Sequence, residues 1–91
     1  MSKPPLLFIH GMWSTPHVWD WFAARYRAAG HAVEVPALPY HDVDPAEPPS
    51  PILASIGVQD YVDAVAAVVR TLPESPVIIG HSMGGMLAQK V

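Results

Sequence analysis

Three short strand-like runs, Leu6-Leu7-Phe8-Ile9, Ala32-Val33-Glu34-Val35 and Val77-Ile78-Ile79, alternate with three helical stretches along this 91-residue chain. That alternation constrains the fold more than any other feature. Leu6 to Ile9 is a continuous apolar run with turn signals on both sides, which is how a strand buried on both faces of a parallel sheet reads. His10-Gly11 ends it. Thr15-Pro16 then supplies an N-cap followed by proline at the first helical position. Val18, Trp19, Phe22, Ala23, Tyr26 and Ala29 keep a 3.6-residue period, and Gly30 stands where a helix C-terminus favours it. A helix is expected over residues 16–29.

The second strand is stopped by Pro36. Residues 36–56, PALPYHDVDPAEPPSPILASI, carry six prolines, which withhold backbone donors and push each preceding residue out of the helical region. This segment reads as an ordered loop or a cover, not as a linker between domains. Val58, Tyr61, Val62, Val65, Val68, Val69 and Leu72 then repeat at i, i+3, i+4, i+7, predicting a helix over 56–72 with Ser55 as cap and Pro73 as stop. A third buried strand and a third helix, from Met83 onward, follow. With right-handed crossovers, this order implies an α/β three-layer sandwich: a parallel sheet of about three strands with three helices on its faces. The chain has room for one domain.

Composition narrows the function. The chain is 51% hydrophobic and 14% charged, too apolar for a disordered segment, and its net charge of −3 with five Lys and Arg favours neither nucleic acid nor an anionic membrane. With no cysteine there is no disulfide framework and no thiolate nucleophile. The opening MSKPPLLFIHGM has an apolar run of only four residues, too short for a signal peptide or a membrane span, so a cytoplasmic location is expected. The five histidines show no metal-ligand spacing, so no metal and no cofactor are expected.

Gly80-His81-Ser82-Met83-Gly84 is a G-x-S-x-G pentapeptide between an expected strand and an expected helix. Its spacing has a steric cause. Lifting a serine clear of a sheet requires a tight reversal that leaves it in a strained backbone conformation. Side chains two residues before and after would strike neighbouring backbone, so glycine is needed at Gly80 and Gly84, and Gly85 adds room. The helix then begins at the serine, with free N–H groups, that of Met83 among them, facing any developing oxyanion. An ordinary glycine-rich turn is the plainer reading, but the loop lacks the lysine of a phosphate-binding P-loop and the G-x-G-x-x-G of a dinucleotide site.

His10-Gly11-Met12-Trp13 lies at the carboxyl end of the first strand, the edge where open parallel sheets bind ligands. Gly11 would let the backbone approach a substrate oxygen, with the Met12 N–H as a second oxyanion donor. His10 reads as a core histidine that holds the loop by hydrogen bonds. Trp13, Trp19 and Trp21 read as packing at the helix start, with Trp13 also a candidate pocket residue.

Together, HGMWSTPHVWDWF and VIIGHSMGG resemble the serine-hydrolase members of the α/β-hydrolase superfamily, a resemblance that covers nearly the whole chain. It implies a partial α/β-hydrolase fold ending just after the nucleophile elbow, with the first strand between the other two. It also implies Ser82 as nucleophile, Met12 and Met83 as backbone oxyanion donors, and His10, Gly11, Gly80, His81 and Gly84 in support. The substrate class would be a small-molecule carboxylic ester or related acyl compound.

In that superfamily the triad runs Ser, then Asp or Glu, then His. After Ser82 this sequence offers only MGGMLAQKV, with neither. An alcohol is a poor nucleophile without an adjacent base. His41-Asp42, with Asp44 beyond, could act as a surrogate base from the proline loop, although solvated loop residues are the plainer reading. His81 adjoins Ser82 but should point elsewhere, and His17 begins an exposed helix. Both outer strands would also leave unpaired edges. The chain is therefore expected to be the amino-terminal part of a single, larger hydrolase domain: a truncated gene product, a proteolytic piece or a deliberately shortened chain. It would need a complementary C-terminal segment or a homo-oligomer formed through the open edges. A non-catalytic remnant serving as an interaction module is the competing expectation. Haloperoxidase, hydroxynitrile lyase or acyltransferase chemistry on the same seat is another. Leu38, Tyr40, Ile52 and Leu53 suggest an apolar acyl or alcohol group.

Overall fold

Leu6 pairs with Val33 on one side and with Val77 on the other, so the first strand runs between the other two. The computed structural model describes residues 3–41, 48 and 50–91. Strand β1 (Leu6–Ile9) is parallel to both β2 (Val33–Glu34) and β3 (Val77–Gly80), in the order β2-β1-β3. All four residues of β1 are buried, as a doubly covered strand requires. The two faces of that strand go to different cores because its side chains alternate. Leu6 and Phe8 pack with Trp19, Ala23 and Val33 under α1 (Asp20–Ala28). Leu7 and Ile9 pack with Tyr61, Val62 and Val65 of α2 (Val58–Thr71) and with Leu87 of α3 (Met83–Lys90). The result is the expected α/β three-layer sandwich, in which fully burying a side chain such as Leu7 or Leu87 stabilises by about 1.5–3 kcal/mol.

Several local expectations are corrected. The helix expected over 16–29 opens as a 3-10 turn, Pro16–Trp19, before α1 takes over. Thr15 does cap it, its hydroxyl oxygen accepting from the His17 N–H at 3.3 Å. Gly30 closes α1 at φ 99°, a left-handed value suited to glycine. Of the periodic stripe only Trp19 and Ala23 are buried, while Val18, Phe22 and Tyr26 remain at least 40% exposed. A single helix over a narrow sheet buries only the strip that faces Leu6 and Phe8.

β2 is two residues long, not four; Pro36 ends the segment, and Glu34 faces solvent. The proline segment contains an unanticipated 3-10 helix, Pro51–Ser55, capped by Ser50, and Ser55 donates to the Ile52 carbonyl at 2.7 Å instead of capping α2. α2 begins later, at Val58, because the Asp60 carboxylate reaches back to accept from the Gly57 N–H at 2.8 Å. It ends with Leu72 already extended before Pro73. β3 is only partly covered and Val77 is exposed, in contrast to the buried strand expected, because among the described residues it has a neighbour on one side only. Leu38 and Leu53 lie in the α2-side core. No helix of the described residues is long and apolar enough to cross a membrane.

Candidate active site

Between β3 and α3 the chain reverses on one residue. Ser82 has φ 57° and ψ −121°, a region that a side-chain-bearing residue rarely occupies and that costs about 1–3 kcal/mol. The surrounding backbone over-determines it. The His81 N–H donates to the Ile9 carbonyl at 3.1 Å, Gly84 N–H to the His81 carbonyl at 2.9 Å, and Gly85 N–H to the Ser82 carbonyl at 2.9 Å. A Cβ on Gly80 would overlap the Gly84 carbonyl, and one on Gly84 would overlap the carbonyls of Ile9 and His10. Glycine is therefore a steric requirement at both. Gly85 differs: a Cβ there would lie 3.6 Å from the Gly80 oxygen, an ordinary contact, so the extra room expected of it is not needed.

The end of β1 adjoins this turn. A Cβ on the buried Gly11 would come within 3.2 Å of the Ser82 Cβ and 3.3 Å of the His81 oxygen, so residues 10–12 and the exposed Ser82 share one edge of the sheet. Among the described residues, neither the Met12 nor the Met83 N–H donates a hydrogen bond.

His10 holds the loop, in the manner expected. It is fully buried, its Nδ1–H donating to the Gly11 carbonyl at 2.8 Å and its Nε2 accepting from the Leu38 N–H at 3.0 Å. Burial pulls its pKa below the usual imidazole value; the Gly11 contact opposes that and the nearby His41 adds to it. The ring is thus a neutral clasp.

Beside Ser82 opens a cleft of about 530 Å³. Gly11, Met12, His81 and Ser82 contribute to it from the strand ends, and Ser14, Val18, Trp19 and Phe22 from the segment leading into α1. Trp13 is not part of this lining: it is 65% exposed, at φ 64°, with its ring 6.3 Å from that of His41. Its expected place is taken by Trp19, whose ring lies 4.8 Å from that of Phe8 and tilted 39° to it, and by Phe22. The Trp19 indole nitrogen is buried with no acceptor among the described residues. Trp21 lies outside the lining, exposed, with the Arg25 guanidinium 3.5 Å over its ring. His81 also borders the cleft. Tyr40 and Ile52 are exposed and, like Leu38 and Leu53, take no part in it. The apolar wall was legible only through topology: a helix that starts at the carboxyl end of a strand presents its first turns to that edge.

His41 is not the solvated loop residue expected. It is 97% buried, its Nδ1–H donates to the Pro39 carbonyl at 2.9 Å, and its ring lies 5.4 Å from that of His10 and 5.9 Å from that of Tyr61. It does not reach the cleft, which argues against its use as a surrogate base. Asp42 and Asp44 lie outside the described residues. His17 is exposed and paired with Asp20 at 3.1 Å, and the His31 Nδ1–H donates to the Pro4 carbonyl at 2.9 Å. Tyr61 is buried with its hydroxyl directed at the Met12 sulfur, 4.0 Å away; burial, and next the adjacent Asp60, raise its pKa. Among the described residues no group of three or more potential ligands could hold a metal ion.

Comparison with known proteins agrees with this geometry. The family model described as "Alpha/beta hydrolase family" matches residues 6–91. Over 88 residues the chain is 34% identical to pimeloyl-[acyl-carrier protein] methyl ester esterase of Aromatoleum aromaticum, covering 97% of this chain and 31% of that protein. An extracellular alpha/beta-hydrolase from a Paenibacillus species superposes with a TM-score of 0.78 at 26% identity, over 98% of this chain and 34% of the other. The thioesterase domain from the curacin biosynthetic pathway superposes with a TM-score of 0.79 at 30% identity, over 96% and 32%. The chain thus spans about a third of the length of the relatives it matches. With its parallel sheet, its glycine-flanked turn at Ser82 and a family match along almost its entire length, this chain belongs to the alpha/beta hydrolase family.

Proposed function

We propose that this chain is the amino-terminal part of a single serine-hydrolase domain that cleaves a carboxylic ester or related acyl bond, with Ser82 as its nucleophile. The observation that carries the reading is the backbone of Ser82, a non-glycine residue held at φ 57° on the ligand edge of a parallel sheet. Strain of this kind persists where surrounding structure enforces it, and it clusters at active sites. In the proposed step the Ser82 Oγ attacks the acyl carbon, its proton passes to a base, and the carbonyl oxygen becomes an oxyanion. The unengaged N–H groups of Met12 and Met83 would receive that charge. Gly11 leaves room for the approach, His10 fixes the loop, His81 lines the cleft, and Gly80 and Gly84 permit the turn.

The base and the acid that orients it are proposed to come from sequence following this part of the protein, since the matched relatives are about three times as long. The relatives named as a methyl ester esterase and a thioesterase favour an ester or thioester substrate over the other chemistries of this fold. A cysteine-free sequence fits a reducing compartment, and a cytoplasmic site of action belongs to the same proposal. The test is labelling by a serine-directed fluorophosphonate, read by peptide mass spectrometry. In a protein that joins this chain to the following segment, Ser82 should be modified, and Ser82→Ala should abolish both labelling and turnover of an activated ester. Labelling at another serine, or turnover that survives Ser82→Ala, would overturn the reading. The 91-residue chain alone should label at least a thousandfold more slowly, for want of a base.

A further inference from the structure

We infer that Tyr61 is a positioning residue for the oxyanion donor: its hydroxyl, reaching from α2 to the Met12 sulfur, keeps the Gly11–Met12 peptide in the orientation that lets the Met12 N–H receive charge. This deepens the hydrolase reading and rests on it for the role of that N–H.

The Met12 N–H shares a peptide plane with the Gly11 carbonyl, and in a trans peptide the two point in opposite directions. Whatever holds the carbonyl therefore holds the N–H. The His10 Nδ1–H donates to that carbonyl at 2.8 Å and the Ser14 N–H at 3.3 Å. These bonds grip one edge of the plane. At the other edge stands the Met12 Cα, followed at once by Trp13 at φ 64°, a left-handed conformation that persists only where neighbouring structure enforces it. The Met12 side chain is a second hold on that edge, and its sulfur lies 4.0 Å from the Tyr61 hydroxyl.

Tyr61 is buried, and among the described residues the thioether is the acceptor its hydroxyl has. A phenylalanine would fill the same space in the α2-side core with no polar atom to satisfy. What the hydroxyl adds is direction: a weak bond to sulfur, too weak to hold a fold, that selects among the rotamers of a flexible side chain. Tyr61 is itself fixed. Its ring meets the buried His41 ring edge-on at 5.9 Å, and the His10 ring lies 5.4 Å from that same imidazole. His41 thus braces both residues that grip the peptide, His10 at its carbonyl and Tyr61 at its side chain.

The test uses the protein that joins this chain to the following segment, with 4-nitrophenyl butanoate as the ester. Tyr61→Phe removes one oxygen and keeps the ring. Its kcat should fall about fivefold with KM within about twofold of the parent, the mark of an interaction that matters in the transition state. Met12→Leu, which removes the acceptor, should lower kcat by a similar factor. In the Met12→Leu background, Tyr61→Phe should change kcat by less than about 1.5-fold, because the contact is already gone. With the methionine methyls labelled with carbon-13, Tyr61→Phe should move the Met12 resonance, assigned by its loss in Met12→Leu. Those of Met83 and Met86 should stay in place, which also checks that the variant is folded. An unchanged kcat in Tyr61→Phe would overturn the inference. So would an unmoved Met12 methyl, or the full loss recurring in the Met12→Leu background, the signature of a packing role alone. The methyl response involves no chemistry at Ser82. Turnover that survived Ser82→Ala would therefore sink the hydrolase reading and leave the Tyr61–Met12 contact standing.

Discussion

The Leu38 N–H donates to Nε2 of His10 at 3.0 Å, so a buried imidazole ties the end of β1 to the proline segment. The bond requires a bare ring nitrogen and is lost when the ring takes up a second proton. Because burial lowers the folded-state pKa, the unfolded chain binds that proton first as pH falls below about 6.5. Stability from this group is therefore fully present above that pH and declines below it until the folded ring also titrates. For a single proton the loss cannot exceed about 1.4 kcal/mol per pH unit. Urea unfolding at pH 7.5 and 5.5 checks it: the parent chain should lose more stability than His10→Asn over that interval, and parallel losses would refute the assignment.

The glycines of the turn should respond unequally. Gly80→Ala and Gly84→Ala each force a Cβ into backbone carbonyls that cannot move separately, and each should cost more than about 3 kcal/mol or abolish folding. Gly85→Ala, within α3, meets only an ordinary contact with the Gly80 carbonyl, and alanine's helix propensity should make it neutral or up to about 1 kcal/mol more stable. Thermal melts of the three variants suffice to rank them.

Ser82→Gly should raise stability by about 1 kcal/mol, since glycine occupies the φ 57° region without penalty. Ser82→Ala, which keeps the Cβ, should leave stability within about 0.5 kcal/mol of the parent. Denaturant midpoints that fail to separate the two would mean that the turn is not strained.

α3 offers an internal contrast. Leu87 is wholly buried against α2 and β1, whereas its neighbour Met86 is 40% exposed. Leu87→Ala should cost about 2–5 kcal/mol and Met86→Ala less than about 1 kcal/mol by chemical denaturation.

What the sequence could disclose was whatever is written locally. β1 and β3 were readable because each is a short apolar run closed by glycine or a polar residue, and α2 because its valines repeat at helical spacing. Ser82, Gly80 and Gly84 were readable because the sterics of a strand-to-helix reversal act over five residues. The errors arose where a residue's environment is set from a distance. Periodicity marked Val18 and Phe22 as apolar and in phase with Trp19, but nothing local says how wide a sheet the helix covers, so core and cleft wall could not be told apart. His41 looked like loop polarity and is packed between His10, Trp13 and Tyr61, contacts made across the fold. The start of α2 moved from Ser55 to Gly57 because two capping solutions compete there. The Asp60 carboxylate completes the one at Gly57, while the Ser55 hydroxyl is already spent on Ile52.

Where α3 begins, main chain rests on main chain: the Gly84 Cα leaves no space between itself and the carbonyls that end β1. A joint of that kind contains no side chain, so it cannot be repacked, only opened as a whole. The strand that ends at Ile9 and the helix that begins at Met83 are joined through it. Mutational drift in the exposed Met12 side chain can therefore remodel the neighbouring surface and leave the joint itself intact.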